Sequence, residues 1–391
     1  MFNNHPVESL LDTDLYKISM CQFVLHQFPA SIAKFKFKCR TPNINLAKYI
    51  QEIKDEINYV SSLKFTPGEL CYLSTLKFIK EDYLDFLEDF QLKERHVTVT
   101  PAQEYREHGV REINITIEGP WLQTILWEIY ILKIVHEVYS KNEHPNVNYT
   151  KGLDKVIDKC YKINQNRLKV IEFGSRRAFS SKWHDIVVKE MVEKQAIVGT
   201  SNVMLAKKYS INCSGTQAHE IFQACQGLGP RVAHSQSFAL QKWADEYRGD
   251  LGIALTDTLG IDKFLRDFDG YFSRLYDGVR HDSGDPIEWG EKIINHYKKY
   301  KIDPMTKAAV FSDGLNVDKA VEINNYFKDR LNCSFGIGTN LTNDLGVPFL
   351  QIVIKMVECN GHPVAKISDN PDKTMCVDKV YLDYLRSIIK E

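Results

Sequence analysis

"GVRHDSGDPIEWGEKIINHYKKY", residues 278–300, holds an apolar run, a polar tip and a helical pattern in that order. Val279 leads into Arg280, His281, Asp282, Ser283, Gly284 and Asp285, closed by Pro286, and an amphipathic stretch follows. The same order recurs through the second half of the chain. "KVIEFGSRR" (169–177), "QAIVGTSN" (195–202), "GIALTDTLG" (252–260), "AAVFSDGLN" (308–316) and "SFGIGTNL" (334–341) each end an apolar run in a polar, glycine-bearing cluster. Helical patterns follow most of them, among them "WHDIVVKEMVEK" (183–194), "IDKFLRDF" (261–268) and "VDKAVEINNYFKDR" (317–330). Strand, tip and helix in repetition predict a parallel α/β fold. The repeats are uneven, which leaves an open sheet or a barrel. The chemically rich residues all fall just after strands, where a (β/α) barrel gathers its active site, and that favours the barrel.

Outside this region the texture is antiparallel. "KFKFKCR" (34–40) alternates apolar and basic residues, the pattern of a half-buried strand. Helical patterns at 46–63 and 80–92 come next, then a hairpin expected from "HVTVTPAQEYRE" (96–107) and "REINITIEGP" (111–120), turning at His108-Gly109. "WLQTILWEIYILKIVHEVY" (121–139) carries Glu128, Lys133, His136 and Glu137, so it predicts a buried amphipathic helix rather than a membrane span. A polar stretch at 140–150 reads as a loop. Near the C-terminus, "LQIVIKMVECNGHPVAKIS" (350–368) predicts two strands around Asn360-Gly361, a strong type I′ turn signal. The expected organisation is an irregular (β/α) barrel over 141–344, beside a second α/β domain built from both chain ends, 1–140 and 345–391.

Composition narrows the function. The chain has 391 residues, a hydrophobic fraction of 43%, a charged fraction of 26% and a net charge of −1. Those are the proportions of an ordinary soluble protein, and they give no support to a nucleic-acid or membrane partner. Nine cysteines, an odd number without a CxxC pair, fit reduced thiols in the cytoplasm. No signal peptide, P-loop, GxGxxG, GxSxG or HExxH is present, nor the acidic pair before a Thr-Gly-Gly turn that marks type I phosphoribosyltransferases.

The strand tips together supply a chemistry. Arg176, Arg177 and Arg280 offer bidentate donors to carboxylate or phosphate. Asp257, Asp282 and Asp313 suit sugar hydroxyls or a hydrated Mg²⁺. Gly314, Gly336 and Gly338 let backbone N–H groups close on a phosphate. Each tip alone is also what any strand-to-helix turn needs, since Gly, Asp and Ser cap helices and turn chains. "GTQAHE" (215–220) places His219 at the expected first turn of a helix. The residues alone define an α/β barrel enzyme for an anionic, phosphorylated sugar.

"LLDTDLYKISM" (10–20), "EFGSRRAFS" (172–180), "VGTSNVMLAKKY" (198–209), "GTQAHE", "ALTDTLGIDKFL" (254–265), "VRHDSGDP" (279–286), "FSDGLN" (311–316) and "FGIGTNLTND" (335–344) resemble bacterial-type nicotinate phosphoribosyltransferases, in family order and over nearly the whole chain. The resemblance implies a type II phosphoribosyltransferase fold. It implies a reaction of nicotinate with 5-phosphoribosyl-1-pyrophosphate, with Mg²⁺ and with ATP hydrolysis coupled through a phosphohistidine, in NAD biosynthesis. His219 matches the phosphorylated residue, Asp257 the acid that orients it, and Asp282 and Arg280 residues at the ribose. Phe173 matches the ring stacked on the pyridine. Tyr16 matches a ring that covers the other face from the neighbouring subunit, making a homodimer whose site lies at the interface. Arg176 matches a residue near the nicotinate carboxylate, beside Thr200 and Ser201. Asp313, Gly314, Gly338 and Thr339 match the 5′-phosphate loops, and Arg40 reaches toward pyrophosphate. No residue is matched to the metal.

Ser201 bears on the substrate. Related nicotinamide enzymes carry an Asp there, which accepts from an amide; a hydroxyl can donate to a carboxylate, so nicotinate is expected. The alternatives are a nicotinamide phosphoribosyltransferase and an inactive nucleotide-binding homologue.

Overall fold

In the computed structural model, residues 5–105, 111–370 and 373–389 are described. Three strands, β1 (Ile32–Cys39), β2 (Val97–Tyr105) and β3 (Arg111–Pro120), come first. Six short ones follow: β4 (Val170–Glu172), β5 (Gly199–Thr200), β6 (Ile253–Leu255), β7 (Gly278–His281), β8 (Ala308–Phe311) and β9 (Asn332–Ile337). Next come β10 (Ile352–Cys359) and β11 (His362–Pro363).

The six short strands are the six apolar runs that precede polar tips. They pair in parallel in the order β5-β4-β9-β8-β7-β6, with the sequence neighbours β5 and β6 at opposite edges. A chain segment fills the gap between those edges. Thr200 N donates to Asn212 O at 3.0 Å and Ser214 N to Thr200 O at 2.8 Å, while Thr216 Oγ1 donates to Ile253 O at 2.9 Å. Closure by one irregular segment instead of a ladder makes this the expected irregular barrel.

Helices begin straight after the tips because the tips carry their caps. Asp285 accepts from Ile287 N and Glu288 N, Asn202 from Leu205 N, and Asn316 from Lys319 N. Each satisfies an N–H that the first helical turn leaves without a partner.

The second sheet is antiparallel, ordered β11-β10-β1-β3-β2, and so draws on both chain ends. Along β1, Ala33, Phe35 and Cys39 are buried and Lys36 and Lys38 exposed, as the alternation predicts. Asn360 (φ 49°) and Gly361 (φ 76°) make the left-handed turn expected of that pair. The returning strand is shorter than expected. After two residues the chain leaves the sheet, and Ala365 pairs with the Gln226 side chain instead. The turn expected at His108-Gly109 lies outside the described residues.

The helix Trp127–Glu143 departs from expectation. It is buried on every side from Trp127 to Ser140, its charged residues included. Those residues have buried partners: Lys133 pairs with Asp12, Glu128 with Lys17, and Glu137 accepts from Ser181 N. The polar residues of the expected amphipathic helix are therefore internal ties, and the helix packs against β10 as well as the helix Ile50–Ser62. The polar stretch at 140–150 starts inside this helix and ends in the next, Tyr149–Gln165. Among the described residues no helix is long and apolar enough to cross a membrane.

Candidate active site

The strand tips of the barrel and the strand β10 face one another across a cavity of about 410 Å³. Its wall holds Arg40, Arg176, Arg177 and Arg280, with Lys355, Lys366 and Lys373. Five carboxylates share the wall: Asp14, Glu128, Glu220, Asp282 and Asp313. Four arginines and three lysines outnumber them, so the cavity is cationic and fits a ligand bearing several phosphates.

His219 opens the helix His219–Leu228 and is buried, with one face on the cavity. Its Nε2 lies 2.7 Å from Asp257 Oδ1 and 3.6 Å from Asp282 Oδ2. A ring nitrogen that close to a carboxylate carries the proton, which leaves Nδ1 with the lone pair. Nδ1 has no hydrogen-bond partner among the described residues. Burial, and then Lys366, push the His219 pKa down to about 4 against the pull of Asp257 and Asp282. Asp257 sits behind the histidine and outside the cavity wall, accepting from Ser283 Oγ at 2.6 Å. Burial opposes the ionisation of Asp282, but Lys366 and Arg280 outweigh it and hold the carboxyl at about 2.

These three residues bring one ligand atom each within 4.8 Å of one another, the spacing of a metal site. Lys366 Nζ already stands 2.8 Å from Asp257 and 3.8 Å from Asp282, so an ammonium supplies the cation there.

Phe173, Tyr16 and Arg176 line the same cavity. Leu15 N donates to Ser201 O at 2.7 Å, and Asp14 bridges Asn202, which pins the start of the helix Leu15–Gln27 beside the tip of β5. Arg176 Nη1 lies 3.8 Å from Glu128 Oε1. Burial works against the Glu128 charge, but Lys17, Lys355 and Arg176 hold its carboxyl at about 2.

Gly314, Gly338, Thr339 and Asp313 form one wall, with Arg40 also on the cavity. A side chain on Gly338 would put its Cβ 2.7 Å from the Phe173 carbonyl oxygen, so the close approach of these two tips requires glycine. Asp313 pairs with Lys373.

Two of the expected substrate residues have protein partners in this structure. Thr200 does not reach the cavity; its hydroxyl donates to Glu172 Oε2 at 2.5 Å beneath the sheet tips. Ser201 does reach it, but its hydroxyl donates to Asp14 Oδ1 at 2.7 Å, so its proton is already engaged. Asp14, Glu128 and the three lysines were missed. The carboxylates precede or lie within helices and not at barrel tips, and the lysines come from β10 and the segment after β11. Lys355 is the sharpest case: burial, with Arg176 and Lys366 nearby, lowers its pKa to about 8 despite Glu128.

A parallel α/β framework with arginines and acids at its strand tips, a paired histidine at a helix start and lysines facing them from the second sheet defines an enzyme with a phosphate-handling cavity. The match to the nicotinate phosphoribosyltransferase (NAPRTase) family covers residues 168–390, and that to the NAPRTase N-terminal domain covers 11–136. The nicotinate phosphoribosyltransferase of Burkholderia mallei is 50% identical over 388 residues, 98% of this chain and 96% of that protein. The one from Bordetella petrii is 50% identical over 390 residues, 98% of each chain. A crystal structure of the Vibrio cholerae nicotinate phosphoribosyltransferase superposes with a TM-score of 0.94 at 37% identity, covering 100% of this chain and 95% of that one. The Porphyromonas gingivalis enzyme gives 0.93 at 30% identity, covering 98% and 100%. The chain belongs to the nicotinate phosphoribosyltransferase family.

Proposed function

We propose that the chain joins nicotinate to 5-phosphoribosyl-1-pyrophosphate, giving nicotinate mononucleotide and pyrophosphate, and couples this to ATP hydrolysis through a phosphohistidine at His219. The observation that carries the reading is the His219–Asp257 pair at a helix start, opening onto a cavity rich in fixed cations.

Phe173 and Tyr16 flank the pyridine ring. Arg176, steadied by Glu128, takes the nicotinate carboxylate. Arg280 and Asp282 grip the ribose, while Asp313, Gly314, Gly338 and Thr339 hold the 5′-phosphate. Arg40 reaches the pyrophosphate. As the ring nitrogen bonds to the anomeric carbon, the bond from that carbon to pyrophosphate breaks. Positive charge on the sugar passes through a maximum, and Asp282 stands where it develops. When bound with the pyrophosphate, Mg²⁺ would neutralise the leaving group.

His219 Nδ1 accepts the γ-phosphoryl group of ATP, and the imidazolium so formed keeps its Nε2 proton on Asp257. The added negative charge adjusts the cationic wall around the substrates. Thr200 and Ser201 act from behind: Thr200 steadies Glu172, and Ser201 holds Asp14 away from the incoming carboxylate. The chain works as a cytoplasmic homodimer with the site at the subunit interface, Tyr16 covering the pyridine ring of the neighbouring copy, and with the barrel over 141–344.

One observation favours a second reading. The Asp14 carboxylate on the cavity wall could accept from an amide, as a nicotinamide enzyme requires. Product formation with nicotinate and nicotinamide in parallel, with and without ATP, separates the two. Product from nicotinate alone, raised by ATP, supports the proposal. Product from nicotinamide would replace it.

A further inference from the structure

An imidazole between two carboxylates tends to hold its proton. Asp257 and Asp282 lie 2.7 and 3.6 Å from His219 Nε2, and a protonated ring has no lone pair for a phosphoryl group. Lys366 stands on the far side of both acids, 2.8 Å from Asp257 Oδ2 and 3.8 Å from Asp282 Oδ2, with only 4% of its surface exposed. We infer that Lys366 is a positioning residue for His219: it holds Asp257 so that Oδ1 faces Nε2, and balances the second carboxylate so that the ring stays neutral. This rests on the phosphohistidine reading above.

The local geometry fixes the lysine against both partners it serves. Ala365 N donates to Gln226 Oε1 at 2.9 Å and Gln226 Nε2 to Ala365 O at 2.8 Å, and Gln226 lies on the helix that His219 opens. Ile367 N donates to Thr258 O at 2.9 Å, next to Asp257. Lys366 itself exchanges backbone bonds with Met375 at 3.1 and 3.0 Å. Ser283 Oγ and Lys366 both engage Asp257 Oδ2, which leaves Oδ1 for the histidine.

The charged groups around the ring come from three elements. Asp257 follows β6, Asp282 follows β7 and Lys366 follows β11; Arg280, on β7, bears on Asp282. Glu220, beside His219 on its helix, is turned away to Lys17 and Trp121. Of these, Lys366 is the group that acts with burial to lower the affinity of the ring for a proton. In the transfer the Nδ1 lone pair bonds to the γ-phosphorus, the bond from that phosphorus to the β-phosphate oxygen breaks, and ADP departs. No proton moves, because Nε2–H is already on Asp257.

The test uses the full chain with Lys366→Gln and Lys366→Arg. The His219 imidazole is titrated by proton NMR, its signal assigned with His219→Asn, and ATP stimulation is measured against pH. In Lys366→Gln the His219 midpoint should rise by about one pH unit or more, toward its ordinary value of about 6.5. ATP stimulation should be lost below the new midpoint and return above it, and Lys366→Arg should behave like the native chain. An unmoved His219 midpoint, with KM for the phosphoribosyl donor raised about ten-fold or more, would overturn the inference and make Lys366 a direct phosphate ligand. If Lys366→Gln does not fold, Lys366→Met, of similar length without charge, carries the same test. Native enzyme without any ATP stimulation would sink the phosphohistidine reading, while the titration would still decide what Lys366 does.

Discussion

His219 takes its character from three neighbours, and each makes a separable prediction. His219→Asn removes the lone pair that accepts phosphate but keeps a polar side chain. Product formation with ATP should fall to the ATP-independent rate, so the ratio of rates with and without ATP should drop to one; a ratio kept at the native value would contradict the role. Phe173→Ala should raise KM for nicotinate about ten-fold with a smaller change for the phosphoribosyl donor, because ring stacking is lost on one substrate only. The titrations also bear on stability. His219 binds its proton at about pH 4 when folded and at about 6.5 when unfolded, so the unfolded chain takes up more protons between those values. Glu128, at about 2 folded against 4.5 unfolded, contributes stability above pH 4.5 that is lost as pH falls toward 2. Both signs agree for these two groups, whereas Glu137 and Asp369, held up by burial at about 7 and about 6, act the other way in the same range. The His219 contribution is isolated by comparing native protein with His219→Asn: the fall in urea midpoint from pH 6.5 to 4 should be smaller in the variant, and equal falls would contradict the assignment.

Among the elements, the most exacting is the buried helix Trp127–Glu143, whose Glu128 shares the fully buried Lys17 with Glu220. Lys17→Met would remove the ammonium that the two buried carboxylates share, leaving Glu220 with the Trp121 N–H and Glu128 with the more distant Arg176. The expected loss is about 3–5 kcal/mol in urea unfolding, and an unchanged midpoint would show that the pair is not needed. Gly338→Ala is expected to push the β9 tip off the Phe173 carbonyl and lower kcat/KM with little effect on the urea midpoint, as measured side by side. Elements also mark where the sequence was readable. The strands of the barrel were visible because each is a local pattern of apolar run and polar tip. The character of the helix at 127–143 was not, because Glu128 and Lys133 look the same in sequence whether they face water or each other's partners. Lys355 was invisible for a related reason. Strand alternation says that it shares a face with Val353, not that this face meets the barrel tips.

At the scale of the molecule, the cavity exists because an antiparallel sheet drawn from both chain ends packs against the mouth of a parallel barrel. The barrel brings the histidine, Asp257, Asp282, Asp313 and the glycines; β10 and the segment after β11 bring the lysines, and helices of the N-terminal segment bring Asp14 and Glu128. Sequence motifs pointed to many of the residues that line the barrel half of the cavity, since those groups follow strands. Contacts across the two sheets, such as Lys366 with Asp257, connect positions more than a hundred residues apart, and no local pattern records them. The position of Tyr16 is of the same kind, fixed by Leu15 and Asp14 against Ser201 and Asn202. If Tyr16 completes the neighbouring copy's site, specific activity across a dilution series should fall in step with dissociation of the proposed dimer, followed by sedimentation. Full specific activity in dissociated chains would contradict the interface placement.

The measurement that tests the central claim most directly is phosphoryl transfer to the enzyme itself. Purified protein is incubated with Mg²⁺ and γ-labelled ATP, separated from nucleotide, and then chased with nicotinate and phosphoribosyl pyrophosphate. One acid-labile label per chain is expected, mapped to His219, absent in His219→Asn and discharged as product forms. Nicotinate mononucleotide made at an ATP-stimulated rate without any label on His219 would contradict it.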